Sequence, residues 1–135
     1  MANAVRVCPD ILEEMLAHAR REPNTECCGL LAGRDGVITH IFPATNALAS
    51  PTRYEIAPRE LFALFRQICD EGLMHLGQYH SHLSTENIPS PSDIEQAGYP
   101  DHAYFIVSLL ADIQEPVRAF SIRGGAAREI RITVT

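Results

Sequence analysis

Two short apolar runs separated by a turn signal constrain the fold of this chain more than any other feature. Residues 27–32 are almost entirely apolar, residues 37–42 form a second such run, and Arg34, Asp35 and Gly36 stand between them. This pattern predicts a β-hairpin. Because the strands of a hairpin are antiparallel, the chain does not consist of strictly alternating βαβ units. We therefore predict an α/β fold with a mixed β-sheet flanked by helices, rather than a doubly wound parallel sheet.

Two amphipathic segments predict the main helices. In the first, apolar residues recur at helical spacing from Ile11, and the helix should end near Arg21, before Pro23. The second covers residues 59–71 and ends at Gly72. Alternating or apolar runs predict further strands at residues 5–7, 52–56, 73–82, 103–110, 116–122 and 128–134.

The length and the composition favour one globular domain over residues 1–135, because no linker or low-complexity tract divides the chain. The apolar runs are too short for a membrane span, and no repeat is visible. All 11 basic residues are arginine, and 17 carboxylates bring the formal net charge to -6. A surface of this charge repels phosphate backbones, which argues against nucleic acid as a partner.

The four cysteines do not form a metal-binding pattern. Cys8, Cys27, Cys28 and Cys69 include no C-x-x-C pair, and no secretion signal is recognisable at the start of the sequence. We therefore expect buried, reduced thiols and a cytoplasmic location.

His80 and His82 are the first candidate metal ligands. On a strand, the period of two puts both imidazoles on one face while Ser81 points away. Ser90 and Asp93 then have the layout of a helix start, as N-cap and third helical residue. This capping motif forms with or without a metal. If the loop returns Asp93 to the two histidines, the set becomes a three-ligand zinc site with an open fourth position, which is typical of catalytic zinc.

Hydrolysis of an amide also needs a group that takes a proton from water and passes it to the leaving amine. Glu26 is our candidate for this group, because it lies where the chain enters the predicted strand at residues 27–32. The other glutamates that we compared fall on solvated helix faces: Glu13, Glu14, Glu60 and Glu71.

These residues resemble the signature of a known family. The pair His80-x-His82, followed at fixed spacing by Ser90 and Asp93, is similar to the motif of the JAMM (MPN-plus) metalloproteases, zinc isopeptidases of ubiquitin-like systems. The resemblance implies one zinc ion per chain, held by His80, His82 and Asp93. It implies that Glu26 is the general acid/base and that Ser90 helps to stabilise the oxyanion. The implied fold is the cytidine-deaminase-like single domain, a mixed sheet with flanking helices.

The resemblance is closest to small bacterial members of the Mec type, which release cysteine from the C-terminus of a ubiquitin-like sulfur-carrier protein. It extends to Thr45-Asn46-Ala47, Ser50-Pro51, Tyr54 and residues 79–90. We therefore expect a zinc peptidase with such a carrier as its substrate. Two alternatives stay open: an isopeptidase that acts on ubiquitin-like conjugates, and a noncatalytic scaffold of the MPN type.

Three other features are weaker. Leu83 stands where many family members have proline. This difference removes no ligand, but the loop at residues 83–89 need not have the shape that it has in those members. The irregular segment at residues 43–52, with Asn46 and Ser50, either lines a groove for an extended substrate tail or is a plain surface loop. The remaining histidines lack partners at ligand spacing, so we expect surface or hydrogen-bonded core positions for His18, His40, His75 and His102.

Overall fold

The computed structural model describes residues 3–135 of the chain. Its helices are α1 (Pro9–Arg21), α2 (Pro58–Asp70) and α3 (Pro91–Gln96). Its strands are β1 (Ala4–Val7), β2 (Cys28–Arg34), β3 (Val37–Ala44), β4 (Met74–His82), β5 (Ala103–Ser108), β6 (Val117–Arg123) and β7 (Ala126–Val134). Within residues 3–135, no helix is both long and apolar enough to cross a membrane.

The strands form one mixed sheet that closes on itself in the order β1-β3-β2-β4-β5-β6-β7. Strand β1 pairs in parallel with both β3 and β7, and β4 pairs in parallel with β5. The other neighbouring strands are antiparallel. The predicted α/β fold with a mixed sheet flanked by helices is confirmed. The closure by β1 is an additional feature, and it joins the two ends of the described chain.

The predicted hairpin is formed by β2 and β3. Asp35 and Gly36 connect the two strands with φ angles of 54° and 75°. Both angles lie in the left-handed region, as in the two-residue turns whose twist matches that of the flanking strands. Aspartate and glycine are among the residues that favour this conformation, which explains why the turn forms at this point.

Apolar side chains pack on both faces of the sheet. Leu31 and Tyr79 belong to the cluster that packs with α1, whereas Leu30 belongs to the cluster under α2. Because successive side chains of a strand point to opposite faces, the face of β4 opposite Tyr79 carries His80 and His82. The register of the sheet therefore places both histidines on the face that α2 covers.

Two predictions about this part of the chain are wrong. Residues 52–56, predicted as a strand, form no ladder with the sheet. The amide N–H of Glu55 instead donates to the side chain of Asn46, and the carbonyl of Glu55 accepts from Ala47.

Cys69, predicted as buried, is exposed because it lies on the solvent side of α2. Cys27 and Cys28 are buried and Cys8 is half-buried, and all four thiols are free.

Candidate metal centre

The end of β4 and the start of α3 bring three ligand atoms together. The Nε2 atoms of His80 and His82 lie 3.2 Å apart. The Oδ2 atom of Asp93 is 3.1 Å from each of them. Both histidines are buried, and the side chain of Asp93 is only 11 % exposed. The three predicted ligands therefore form a nearly equilateral triangle of donor atoms.

The triangle fits a metal ion in both size and chemistry. Ligand atoms about 2.0–2.1 Å from a tetrahedral zinc ion are about 3.3 Å from one another. The Nδ1 atom of His82 lies 2.8 Å from the carbonyl oxygen of Glu86. Since a carbonyl only accepts, Nδ1 of His82 carries a proton, and Nε2 is the ring atom that faces the carboxylate of Asp93, which is the orientation that a metal ligand needs. A metal ion bound between Nε2 and this carboxylate would take the place of a proton shared by the two groups.

The charges of the cluster favour metal binding. Burial lowers the pKa of His80 below its usual value, so this imidazole stays neutral and keeps a free lone pair. Burial by itself would raise the pKa of Asp93, but the contacts of its carboxylate with His80 and His82 and the hydrogen bond from the backbone amide of Ser90 outweigh it and hold the pKa of that carboxyl well below its usual range. Asp93 therefore carries a full negative charge at neutral pH, as a metal ligand must.

Glu26 lies beside this cluster and is unusually buried for a carboxylate. Its side chain is 4 % exposed, and its Oε1 atom has no hydrogen-bond partner among residues 3–135. Burial raises the pKa of Glu26 to about 7, and the nearby groups of His82 and Asp93 act on it with opposite signs. An unpaired carboxyl oxygen in a dry site is costly unless a ligand or water completes it. Such a group is suited to transfer protons near neutral pH.

Ser81 fixes the strand that carries Glu26 against the strand that carries the histidines. Its Oγ atom accepts a hydrogen bond of 2.8 Å from the amide of Cys27, and its own amide donates to the carbonyl of Cys27 at 3.1 Å. The sequence predicts that Ser81 points away from the metal ligands but does not name its partner. These two bonds set the position of Glu26 relative to His80 and His82.

Asn46 holds Glu26 from the other side. Its Nδ2 atom donates to the carbonyls of Glu26 at 3.0 Å and Arg53 at 2.9 Å. Its Oδ1 atom accepts from the amides of Leu48 and Glu55. Asn46 is only 7 % exposed, so its amide is used within the protein. The structure thus differs from one sequence interpretation, in which Asn46 lines a substrate groove.

Ser90 begins α3 and orients Asp93. The Oγ atom of Ser90 accepts from the amide of Asp93 at 3.0 Å, and the amide of Ser90 donates to Oδ2 of Asp93 at 2.9 Å. The two bonds form the predicted capping box. The capping and ligand interpretations of these residues are therefore compatible, because the cap holds the carboxylate at the histidines.

Hydrogen bonds fix the loop after His82, in which Leu83 stands in place of proline. The Nδ2 atom of the Asn87 side chain donates to the carbonyl of Glu115 at 2.8 Å, and this side chain is completely buried. The hydroxyl of Ser108 donates to the carbonyl of Thr85 at 2.8 Å. With the contact between His82 and the carbonyl of Glu86, these bonds fix the path of the chain from β4 to α3.

A groove of about 190 Å³ lies beside the metal centre and is lined by Gln78 of β4 and by Tyr54. The ring of Tyr54 also stacks on His80, with ring centroids 4.6 Å apart, so this residue connects the groove with the ligand triangle. Gln78 lies two residues before His80 on the same face of β4 and lines the floor of the groove with Tyr104. The period of two that indicates the histidine pair also indicates Gln78, which the sequence analysis missed.

The remaining histidines lie outside the ligand triangle. His18 is buried and contacts the hydroxyl of Tyr79 at 2.6 Å, whereas His40 contacts Thr39 at 2.7 Å. His75 and His102 pack against each other with ring centroids 4.3 Å apart. In residues 3–135, His80, His82 and Asp93 are the group whose ligand atoms converge at metal-binding distances.

The chain is similar to several known proteins. The model of the family described as prokaryotic homologs of the JAB domain matches residues 9–123. A CysO-cysteine peptidase of Mycobacterium tuberculosis is 38% identical over 128 residues, which cover 93% of this chain and 87% of that protein. A desampylase of Haloferax volcanii is 32% identical over 114 residues, which cover 79% of this chain and 82% of that protein. A protein of Desulfitobacterium hafniense, solved in solution, has a TM-score of 0.84 at 36% identity, covering 97% of this chain and 92% of that one.

The chain belongs to the family of prokaryotic JAB-domain proteins. It is an enzyme of the JAMM peptidase type, as the sequence resemblance implies. We therefore discard the alternative of a noncatalytic scaffold, which the sequence left open. The His–His–Asp triangle is consistent with the metal ion that such an enzyme uses.

A divalent metal ion is expected to raise the Tm of the metal-free protein, because the ion binds the folded state and not the unfolded state. At a free concentration about one hundred times Kd, the gain in stability is about 2.7 kcal/mol. Asp93→Ala should remove this increase, whereas His40→Ala, which alters a histidine outside the triangle, should keep it. Calorimetric scans with and without Zn²⁺ measure both. An equal rise of Tm in Asp93→Ala would place the ion elsewhere.

Replacing Asn46 by alanine is expected to destabilise the protein by about 3 kcal/mol, because several buried backbone groups lose their partners. Equilibrium unfolding in urea measures the change. The matched control is Asn24→Ala, since Asn24 is exposed, and it should change stability by less than about 0.5 kcal/mol. Equal stability of the two variants would contradict the role given to Asn46.

Proposed function

We propose that this protein is a zinc-dependent peptidase that hydrolyses an amide bond at the C-terminal tail of a ubiquitin-like sulfur-carrier protein. The observation that carries the proposal is the triangle of His80, His82 and Asp93, with ligand atoms 3.1–3.2 Å apart, beside the buried carboxyl of Glu26. Three protein ligands leave one position of a tetrahedral ion open, which distinguishes a catalytic zinc site from a structural one. We propose one zinc ion per chain.

A zinc ion held in this site supplies a Lewis acid that activates water and polarises the carbonyl of the scissile amide. Glu26 takes the proton from the attacking water and passes it to the leaving amine. The burial that raises the pKa of Glu26 to about 7 supports this role, because such a carboxyl accepts and donates a proton with similar ease near neutral pH.

Ser90 is proposed to stabilise the oxyanion of the tetrahedral intermediate. Its Oγ atom accepts a hydrogen bond from the amide of Asp93, which orients the hydroxyl but leaves its hydrogen to be donated. The helix cap keeps this donor in place before the substrate arrives, so little reorganisation is needed when negative charge develops on the substrate.

The groove along β4 supports a tail substrate. It is only about 190 Å³ in volume and is lined by Tyr54, Tyr99 and Tyr104. A groove of this volume holds a few residues of an extended chain rather than a folded surface. A carrier tail that ends in Gly-Gly and a short extension fits this description, with its scissile bond near Tyr54, which stacks on His80.

The names of the relatives support carrier proteins as the substrate class. One relative is called CysO-cysteine peptidase, and another is called desampylase. A third, from Thermus thermophilus, is called a probable TtuB-protein conjugate cleaving protease and is 41% identical over 88 residues. We place the release of cysteine or a short linear extension first, because the relative with that name matches 93% of this chain.

An isopeptidase that acts on ubiquitin-like conjugates is the second candidate, and the names of the other two relatives favour it. The two candidates differ in the bond that is cut. A panel that joins one carrier tail either to the α-amine of cysteine or to a lysine side chain separates them. Faster cleavage of the linear substrate supports the first candidate, and faster cleavage of the branched substrate supports the second.

Replacing Glu26 by glutamine is expected to lower kcat on the carrier–cysteine adduct by about 10²–10⁴-fold, because the amide cannot transfer the proton. Zinc content, measured by mass spectrometry of the metal, should stay near one ion per chain. The matched control is Glu14→Gln on the exposed side of α1, which should keep full activity. Full activity of Glu26→Gln would exclude Glu26 as the general acid/base.

A further inference from the structure

Gln78 is a buried amide of which one end has no partner. The residue is only 7 % exposed, and its Nε2 atom has no hydrogen-bond partner among residues 3–135. A buried amide nitrogen without an acceptor is costly, because the group loses its hydrogen bonds to water and gains none in return. Gln78 therefore holds a donor that a bound molecule can use.

His102 determines which end of this amide is used within the protein. Its Nδ1 atom lies 3.4 Å from Oε1 of Gln78. Burial lowers the pKa of His102, so the imidazole is neutral near pH 7, and Nδ1 donates its proton because an amide oxygen only accepts. The ring of His102 is itself fixed by stacking on Tyr99, with ring centroids 4.6 Å apart and planes 6° apart. The oxygen of the amide is thus engaged, and the nitrogen is left for a ligand.

The groove beside the metal centre is lined by Gln78 together with a second donor. Tyr104 lies directly opposite Gln78 in the parallel pairing of β4 with β5, and both residues line the groove. The hydroxyl of Tyr104 accepts from the amide of Tyr99 at 2.9 Å, which leaves its hydrogen to be donated. Two donors suit a ligand that presents acceptors, such as the carbonyl oxygens of a peptide backbone.

Tyr99 makes room for such a ligand. The Nε2 atom of Gln78 is closed off from solvent, so a ligand reaches it only when a neighbouring side chain moves. Tyr99 lines the groove, is 37 % exposed and lies outside the helices and strands. A residue in such a position is less constrained than the buried strand residues around it, so its ring has room to shift outward.

The spacing from His80 to Gln78 matches that of an extended peptide. Two residues of a strand span about 6.6–6.8 Å, and alternate carbonyls of an extended chain point the same way at the same spacing. When the scissile carbonyl of a tail that runs along β4 lies beside His80, the carbonyl two residues away lies beside Gln78. This match involves only backbone atoms, so it suits a tail whose last residues are glycines.

The part of the substrate that reaches Gln78 is the part before the scissile bond. In the proposed reaction the leaving group is a single cysteine, which is too short to span two residues of the groove. The residues that precede the scissile bond therefore occupy the groove. In a tail that ends in Gly-Gly and Cys, the carbonyl that meets Gln78 belongs to the residue before the glycine pair.

We propose that Gln78 is a specificity-determining residue, whose Nε2 atom donates to the carbonyl oxygen two residues before the scissile carbonyl of the substrate tail. This inference rests on the proposed cleavage of a carrier tail, and it adds a residue that fixes the register of that tail. A shift of the tail by one residue turns its carbonyls to the other side, so Gln78 helps to set which peptide bond lies at the metal centre.

The test combines a change in the protein with a change in the substrate. One probe is a short peptide that ends in Gly-Gly-Cys, and the other has an (E)-alkene in place of the peptide bond before the glycine pair. Gln78→Met keeps the length of the side chain but removes the donor. With the first peptide, we expect this variant to raise KM about tenfold and to keep kcat within about threefold.

The second peptide tests whether Gln78 acts through that carbonyl. The alkene should raise KM of the wild type about tenfold, but it should change KM of Gln78→Met by less than about twofold, because the hydrogen bond is already lost. Gln78→Asn, which draws the amide back by one methylene, should show the same pattern as Gln78→Met. The matched control is Gln114→Met at an exposed position, which should behave as the wild type with both peptides.

Calorimetric titration of the first peptide separates this inference from the proposed function. A wild-type protein that binds the peptide about tenfold more tightly than Gln78→Met, but cleaves no carrier adduct, would overturn the function and support the contact. Wild-type KM and Kd in Gln78→Met, or no binding of the peptide by the wild type, would overturn the contact. An alkene effect of equal size in Gln78→Met and the wild type would also overturn it, because Gln78 would then support the fold alone.

Discussion

The pairing of β2 with β4 is the constraint on which the candidate site depends. In this antiparallel register Cys28 lies opposite His80, so the start of one strand meets the end of the other. Glu26 lies two residues before β2, and the two hydrogen bonds between Ser81 and Cys27 extend the pairing to Cys27, the neighbour of Glu26. A slip of one residue would move the histidines to the face of the sheet that α1 covers. The register thus determines both which face holds the ligands and which carboxyl lies beside them.

The remaining parts of the site close around this pair of strands from two directions. The capping box of α3 brings Asp93 to the histidines with a fixed orientation. The side-chain amide of Asn46 donates to the carbonyls of both Glu26 and Arg53, and it thereby connects Glu26 with the residue that precedes Tyr54. Three potential ligand atoms and an unpaired carboxyl oxygen are thereby held together in the interior of the protein. Such an arrangement is costly for a protein without a ligand, which is the physical reason to connect it with a metal ion and with catalysis.

The sequence predicted the local parts of this account, because they depend on short-range periodicity. His80 and His82 share a face of a strand, and Ser90 and Asp93 start a helix, through spacing alone. The sequence did not predict the closure of the sheet, since it requires Val5 to pair with Ile132 at the other end of the chain. It also misassigned residues 52–56, where the side chain of Asn46 takes the backbone hydrogen bonds that a strand would give to a neighbour.

The most direct test of the account is the position of the metal ion itself. Crystals of the zinc-loaded protein, measured on both sides of the zinc absorption edge, give that position by anomalous scattering. The account predicts one site, about 2.0–2.2 Å from Nε2 of His80, Nε2 of His82 and Oδ2 of Asp93, with the carboxyl of Glu26 beside its fourth position. An anomalous peak away from these three atoms, or a fourth protein ligand that closes the site, would contradict it.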